Sequence, residues 1–356
     1  MKIQCYNEVM HSIREVAKQA GVSTATVSRA FNTPEMIAPH THRRVLEAAD
    51  HLNYRPLRVR GRKTASVPAP AAVEAFLGFQ FFSATPDDQL QANPFYAPLM
   101  AGAQAAADAA GMHLLVNTTD RHALAQELPR MVREQTVAGM LLVGTADPEI
   151  LSRFLERVPE IVLVDHRDPT GQHDCVVSDG VGGMAEATRY LLGLGHRRIA
   201  FLQDAADVPT FRDRLRGFVC AHFEAGLTAD PALVLTANEA ALPGVLGPLL
   251  RSAERPTALV AANDWQAYSV MQLCRTLGVS IPGDLSLVGF DDIGFSGQTW
   301  PPLTTVHVPK EQIGSLAVSR LQARLRATEG SLESLPPVTL EVPVSLKVRQ
   351  SCRALS

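Results

Sequence analysis

The chain has 356 residues, of which 46% are apolar, and a formal charge of −3 at pH 7. That length and apolar share suit a folded chain of two or three domains. No run reaches the roughly 18 apolar residues that a membrane span needs, and the opening "MKIQCYNEVMH" lacks the apolar stretch of a signal peptide.

Five dispersed cysteines (Cys5, Cys175, Cys220, Cys274, Cys352) form no CxxC pair. They argue against a disulfide frame or a zinc site and for reduced thiols in the cytoplasm. Charge is uneven: residues 1–63 carry eleven Lys/Arg and five Asp/Glu, and the remainder 22 and 31. A basic head on an acidic body suits contact with a polyanion, although a solvated basic face with no partner gives the same counts.

Residues 12–56 have helical periodicity and no strand pattern. Ser12-Ile13-Arg14-Glu15 has the S-x-x-E form of a capping box. It predicts a first helix from about Ile13 to Ala20, with Ile13, Val16, Ala17 and Ala20 on one face. Gly21 supplies a left-handed turn, and Ser23 caps a second helix, Thr24 to Phe31. Val27, with Ala30 or Phe31, then faces the first helix. Two short helices joined by a glycine turn make a helix-turn-helix. A third helix puts Val45, Leu46, Ala49 and Leu52 on one face.

The second helix leaves Thr24, Ala25, Thr26, Ser28 and Arg29 outward. Short side chains let a helix approach base edges. Hydroxyls reach bases or phosphates, Ala25 or a threonine methyl can meet a thymine methyl, and Arg29 can take a guanine in bidentate fashion. Ser12, Ser23 and the helix-start N–H groups can hold phosphates. The alternative is a plain helical hairpin. Residues 57–73, "LRVRGRKTASVPAPAAV", are basic and then Pro/Ala-rich, and read as a linker.

From about residue 74, short apolar runs alternate with longer helical segments. The candidate strands are "AFLGFQFF", "MHLLVNTT", "AGMLLVGT", "EIVLVDH", "RRIAFLQD", "TALVAAND" and "LSLVGFDD". Strands apolar on both faces and joined by helices predict a doubly wound parallel α/β architecture. Several end in Asp165, Asp204, Asn263–Asp264 or Asp291–Asp292. Such a residue either caps the following helix or lines a ligand pocket at the carboxyl ends of the strands.

"SIREVAKQAGVSTATVSRAFN" and "VLEAADHLNYRP" resemble the N-terminal signature of the lac-repressor/purine-repressor family of bacterial transcription factors. The likeness continues through "NPFYAPLMAGAQAAADAAGMHLLVNTTD", "LLGLGHRRIAFL", "RLRGFVCAHFEAGL" and "WPPLTTVHVPKEQIGSLAVSRL", over about residues 12–350. The resemblance implies an all-α headpiece and a core of two doubly wound parallel-sheet subdomains, like periplasmic sugar-binding proteins. The chain would cross between these three times, with an effector in the cleft. The implied domains are 12–56 for the headpiece and 57–73 for the hinge and linker. The N-subdomain is 74–177 plus 308–335, and the C-subdomain 178–307 plus 336–350.

The resemblance makes Thr24 and Ala25 the variable base-reading positions, and Thr26, Ser28 and Arg29 the more uniform DNA contacts; Asn32 and Tyr54 complete the set. In the cleft it assigns effector contacts to Phe95 and Tyr96, Asp165, Arg214, Asn263 and Asp291. Carboxylate, amide and guanidinium groups around an aromatic platform suit a sugar, sugar acid, polyol or nucleoside. Core packing is the alternative for Phe95 and Tyr96, and a surface ion pair with Asp213 or Asp292 the alternative for Arg214.

The hinge departs from the family pattern. Lys63 stands where a leucine wedges into the minor groove, and Gly61 weakens a hinge helix by roughly 1 kcal/mol relative to alanine. Arg58, Arg60, Arg62 and Lys63 are therefore expected to act through charge, on phosphates or in a narrow minor groove. Ala38–Pro39 replaces the usual hydroxyl cap of the third helix. Residues 1–11 precede the usual start, and Met10 is an alternative initiator. No leucine heptads follow "LKVRQSCRALS", so a core dimer on a palindromic operator is expected.

Signals for catalysis are absent. "GLGHRR" lacks the third glycine of a dinucleotide loop and has the wrong flanking elements, and no P-loop, H-E-x-x-H or G-x-S-x-G occurs. The eleven histidines have no metal spacing. The expectation is a non-enzymatic, metabolite-controlled repressor without cofactor or metal. The alternatives are the same DNA-binding role under a protein partner, or a solute-binding α/β protein.

Overall fold

The computed structural model describes residues 13–32, 37–52, 76–83, 90–120, 124, 127–144, 148–168, 170–204, 208–330 and 335–355. It divides into two compact units, Met1–Ala71 and Ala72–Ser356.

The first unit holds α1 (Ile13–Ala20), α2 (Thr24–Asn32) and α3 (Pro39–His51). Its described core is Val16, Ala17 and Ala20 of α1, Val27 and Ala30 of α2, and Val45, Ala48 and Ala49 of α3. Leu46, expected on the packed face of α3, is 41% exposed, and Ala48 takes that place. At 3.6 residues per turn, position 48 lies one turn above Val45, whereas 46 is rotated away by about 100°. The α1–α2 turn closes by two paired bonds, Val22 N–H to Ala17 O at 2.9 Å and Gly21 N–H to Lys18 O at 3.3 Å. This is the Schellman arrangement. Gly21 has φ +62°, and a Cβ there would also lie 2.9 Å from the Arg44 guanidinium. Helix α3 starts with Pro39, whose missing N–H costs nothing at the first helical position.

The second unit contains two six-stranded sheets. The first sheet is built from β1 (Phe76–Ser83), β2 (His113–Asp120), β3 (Gly139–Val143), β4 (Ile161–Val164), β5 (Asp174–Ser178) and β11 (Thr339–Val342). Its order is β11-β5-β4-β3-β1-β2, and every pairing is parallel. Helices α4 (Tyr96–Ala109) and α11 (Lys310–Gly330) pack together beside it. They approach so closely that a Cβ on Gly102 would meet Glu311 O at 2.0 Å.

The second sheet contains β6 (Ile199–Gln203), β7 (Val234–Thr236), β8 (Ala258–Ala261), β9 (Ser286–Asp291), β10 (Thr304–His307) and β12 (Ser345–Lys347). Its order is β12-β10-β9-β8-β6-β7, parallel except for the antiparallel edge strand β12. Helices α7 (Gly180–Gly193), α8 (Pro209–Glu224), α9 (Leu242–Arg251) and α10 (Asp264–Leu277) belong to this half. Buried runs such as Ala258–Ala261 explain why both sheets read as apolar strings.

The chain passes between the sheets after β5, after β10 and after β11. The last passage corrects the expected boundary at 336. Residues 339–342 lie in the first sheet, paired with β5 from Thr339↔Cys175 to Val342↔Ser178. The buried Asp174 carboxylate holds this segment by accepting the Val338 N–H at 2.6 Å. The crossover therefore falls at Pro343–Val344, between β11 and β12.

Candidate effector site and nucleic-acid interface

Helix α2 begins with Ser23, whose hydroxyl accepts the Thr26 N–H at 3.1 Å and lies 2.9 Å from the Thr26 hydroxyl. Ser23, Thr24, Ala25, Ser28 and Arg29 are exposed, and Thr26 is half-buried, while Val27 and Ala30 face inward. The helix thus presents short side chains at its N-terminal end and one guanidinium a turn later, the shape a major groove admits. The side chain of Asn32, and all of Ser12, Tyr54, Arg58, Arg60, Arg62 and Lys63, lie outside the described residues.

In the second unit, polar side chains gather where strands end. Asp165 follows β4 with φ +55°, and Asp291 ends β9 with φ +108°, followed by Asp292 at φ +50°. Positive φ at three non-glycine residues is strain that surrounding contacts must hold. Lys310, at the start of α11, supplies some of them. Its ammonium donates to the carbonyls of Asp291 (2.6 Å), Val308 (3.0 Å) and Asp292 (3.2 Å). Burial lowers the Lys310 pKa, and the carboxylates of Asp291 and Asp292 oppose that shift.

Two polar pairs define the site, one from each half. Tyr96, at the start of α4, donates its hydroxyl to Asp165 Oδ2 at 2.7 Å. Arg214, on α8, pairs with Asp291 Oδ1 at 3.1 Å and also donates to the Ala262 carbonyl. Its guanidinium lies 4.0 Å from the centre of the Phe290 ring. The surface alternative for Arg214 does not hold: the residue is 3% exposed. Asp213 pairs instead with Arg167 and Arg216, and Asp292 with Arg349 and His307.

The electrostatics cross between the halves. Burial pushes Asp291 up to about 7; Arg214 pulls it down, and Asp264 and Asp165 push it further up. Asp165 is raised by burial against the opposing pull of Arg214, and Tyr96 rises well above its ordinary value through burial and then the Asp165 charge. Four described buried side chains carry polar atoms with no protein partner: Arg214 Nε, His166 Nδ1, Gln203 Oε1 and both amide atoms of Gln266.

The other residues named from the sequence divide. Phe95 is 7% exposed and packs edge-on to Tyr96, with ring centres 5.0 Å apart. Asn263 caps α10 by accepting the Gln266 N–H at 2.9 Å. Asp264 is fully buried. It accepts from Ser296 Oγ (2.6 Å), Thr305 Oγ1 (2.6 Å) and Ile293 N–H (3.0 Å), and burial raises it to about 6. It ties down the loop after Asp291. Asp204 is exposed. Sequence reasoning missed Lys310 and His166. The only local trace of Lys310 is a Pro-Lys step after an apolar strand, and His166 differs from other strand-end polar residues only by following Asp165.

Among the described residues no cluster of His, Cys, Asp or Glu could hold a metal, and no helix is long and apolar enough to cross a membrane. Residues 12–56 match the family described as bacterial regulatory proteins, lacI family, and residues 188–352 match the periplasmic binding protein-like domain. The HTH-type transcriptional repressor PurR of Aliivibrio fischeri (strain ATCC 700601 / ES114) is 30% identical over 352 residues, covering 96% of this chain and all of the relative. The transcriptional regulator CelR in complex with cellobiose superposes with a TM-score of 0.68 at 27% identity, covering 96% of this chain and 99% of that one. The lac repressor dimer bound to operator shares the fold, with a TM-score of 0.66 at 22% identity over 97% of this chain and all of the other. A helix-turn-helix headpiece, a two-sheet core with polar pairs at its strand ends, and a repressor relative matched end to end place this chain in the LacI family of bacterial regulatory proteins, which are transcriptional repressors and not enzymes.

Proposed function

We propose that this repressor reads a palindromic operator with α2, as a two-fold dimer in the cytoplasm. We further propose that a small hydroxyl-rich metabolite bound between the two sheets controls it: a sugar, sugar acid, polyol or nucleoside. The observation that carries the reading is two polar couples at strand ends of opposite halves, the half-buried Tyr96–Asp165 and the buried Arg214–Asp291. Carboxylates at this position accept ligand hydroxyls, and a guanidinium with an unpartnered Nε can donate to one. Ligands of open parallel sheets bind outside the carboxyl ends of the strands. The CelR complex with cellobiose supports a carbohydrate in particular. Phe95, Tyr96, Asp165, Arg214, Asn263 and Asp291 are the proposed effector contacts. Ser12, Ser23, Thr24, Ala25, Thr26, Ser28, Arg29, Asn32, Tyr54 and the basic hinge are the proposed DNA contacts.

The test is a thermal-shift screen of sugars, sugar acids, polyols and nucleosides, with operator binding measured for each hit. Ligand bound to the folded state raises its stability by mass action. The expected hit raises the melting temperature, alters operator affinity, and does neither in Arg214→Gln. Hits that act equally on Arg214→Gln refute the assigned site.

A further inference from the structure

Arg167 and Asp213 touch across the two halves of the core without belonging to either polar pair of the cleft. Arg167 follows β4, two residues beyond Asp165, on the side of the first sheet. Asp213 lies on α8, immediately before Arg214, on the side of the second. Arg167 Nε donates to Asp213 Oδ2, and Arg167 Nη2 donates to Glu341 of β11 in the first sheet. Arg216 Nη1 holds the other Asp213 oxygen at 3.0 Å from within α8. The Asp213 side chain is 7% exposed, against 27% for Arg167 and 70% for Arg216. The carboxylate is therefore enclosed mainly on the Arg167 side. A Cβ placed on Gly180 would lie 3.3 Å from Asp213 Cβ, so the pair is seated against the first residue of α7, where the chain crosses between the sheets.

We propose that Arg167 and Asp213 are positioning residues of the cleft: their ion pair braces the crossover between the two sheets and sets the angle at which the strand end carrying Asp165 faces the helix carrying Arg214. Glu341 anchors the arginine on one side and Arg216 the carboxylate on the other, so each end is fixed to its own half. A change in the angle between the halves strains or breaks this link. The brace need not touch a ligand to act. It biases a two-state element whose closed form brings the proposed effector contacts together. The inference rests on the cleft reading for its consequence, but the brace is measurable without a ligand.

The experiment uses the ligand-free full chain with Cys5 and Cys352 changed to serine. Fluorophores sit on the exposed Cys220 of α8 and on Glu149→Cys in α6 (Pro148–Leu155), on opposite halves. Labelled protein is diluted into unlabelled chain, and the distance distribution is compared for the parent, Arg167→Gln, Asp213→Asn and the double variant. Each single variant should widen the distribution and shift operator affinity on the order of fivefold, the low end of allosteric couplings. The double variant should match a single one, because both remove the same contact.

Asp230→Asn, which removes the Arg198–Asp230 pair inside the second half (3.2 Å), should lower the melting temperature without moving the distance. Unchanged distances in both singles, additive effects in the double, or an equal shift in Asp230→Asn overturn the brace. A metabolite response lost in Arg214→Gln with no distance change in Arg167→Gln keeps the effector reading and removes the brace. The reverse result keeps the brace and removes the effector reading.

Discussion

The headpiece and the cleft use polar residues in opposite ways. In the headpiece they lie outside a small apolar core, within one nine-residue helix, and their arrangement is set by neighbours in sequence. In the proposed cleft they are half-buried or buried and paired over long separations: Tyr96 with Asp165, 69 residues on, and Arg214 with Asp291, 77 residues on. The first region can change its outward residues, the proposed base-reading ones, without changing its fold. The second cannot, because Arg214 and Asp291 are each other's counter-charge and the Asp165 carboxylate accepts the Tyr96 hydroxyl.

Removing one partner of the buried pair separates the two regions most sharply. Asp291→Ala leaves the Arg214 guanidinium buried without its carboxylate and should destabilise the core by about 3–5 kcal/mol. Urea unfolding of the core would measure it, and Arg214→Met/Asp291→Leu should recover most of the loss. Equal stability of Asp291→Ala and the parent would mean the pair is open to water.

In the headpiece the largest effect should come from the turn. Gly21→Ala places a side chain at φ +62° and should cost about 1–2 kcal/mol, lowering operator affinity while the core melts unchanged.

A third contrast is in pH. Asp291 at about 7 and Asp264 at about 6 stand above the ~3.9 of an unfolded aspartate. A raised carboxyl pKa means the folded state holds its proton more tightly, so this contribution is full below about pH 4 and is lost as pH rises towards 7. His166 and His196, lowered by burial, slope the other way. Asp168 and Asp284, both at about 2, change only at lower pH. The readout is therefore the difference between parent and Asp291→Asn: the variant should lose less stability between pH 5 and 7.5. Identical curves would place Asp291 in an ordinary solvated setting.

The smallest effects on stability belong to the proposed DNA contacts. Exchanging Thr24 and Ala25 should change which operator is bound and leave both melting transitions in place. Neutralising each of Arg58, Arg60, Arg62 and Lys63 that contacts a phosphate should reduce the salt slope of operator binding by about one unit. An unchanged slope after all four substitutions would remove the hinge from the interface.

Features that depend on near neighbours are legible in the chain alone. The i, i+3, i+4 spacing, Gly21 and Ser23 were enough to read the helix-turn-helix, because helix caps and turns close within a few residues. Apolar strings alternating with helices were enough for parallel sheets. Even there Leu46 reads onto the packed face yet is exposed, since two adjacent apolar residues leave the packed one to be chosen by the partner helices. Strand-end aspartates were visible, but their duties were not. Asp264 and Asn263 are neighbours, and one ties down a loop while the other caps a helix. The strands β5, β7, β10, β11 and β12 escape the pattern because each holds at most three apolar residues, whereas the equally short β4 and β8 are unbroken apolar runs. Strand β11 lies in the other half from the one its place in the chain suggests, because only its pairing with β5 and the Asp174 contact decide its sheet. Tertiary structure alone paired Arg214 with Asp291, buried Lys310 under three carbonyls, and set Arg167 against Asp213. Those choices depend on which distant groups lose water together, and no local spacing encodes that.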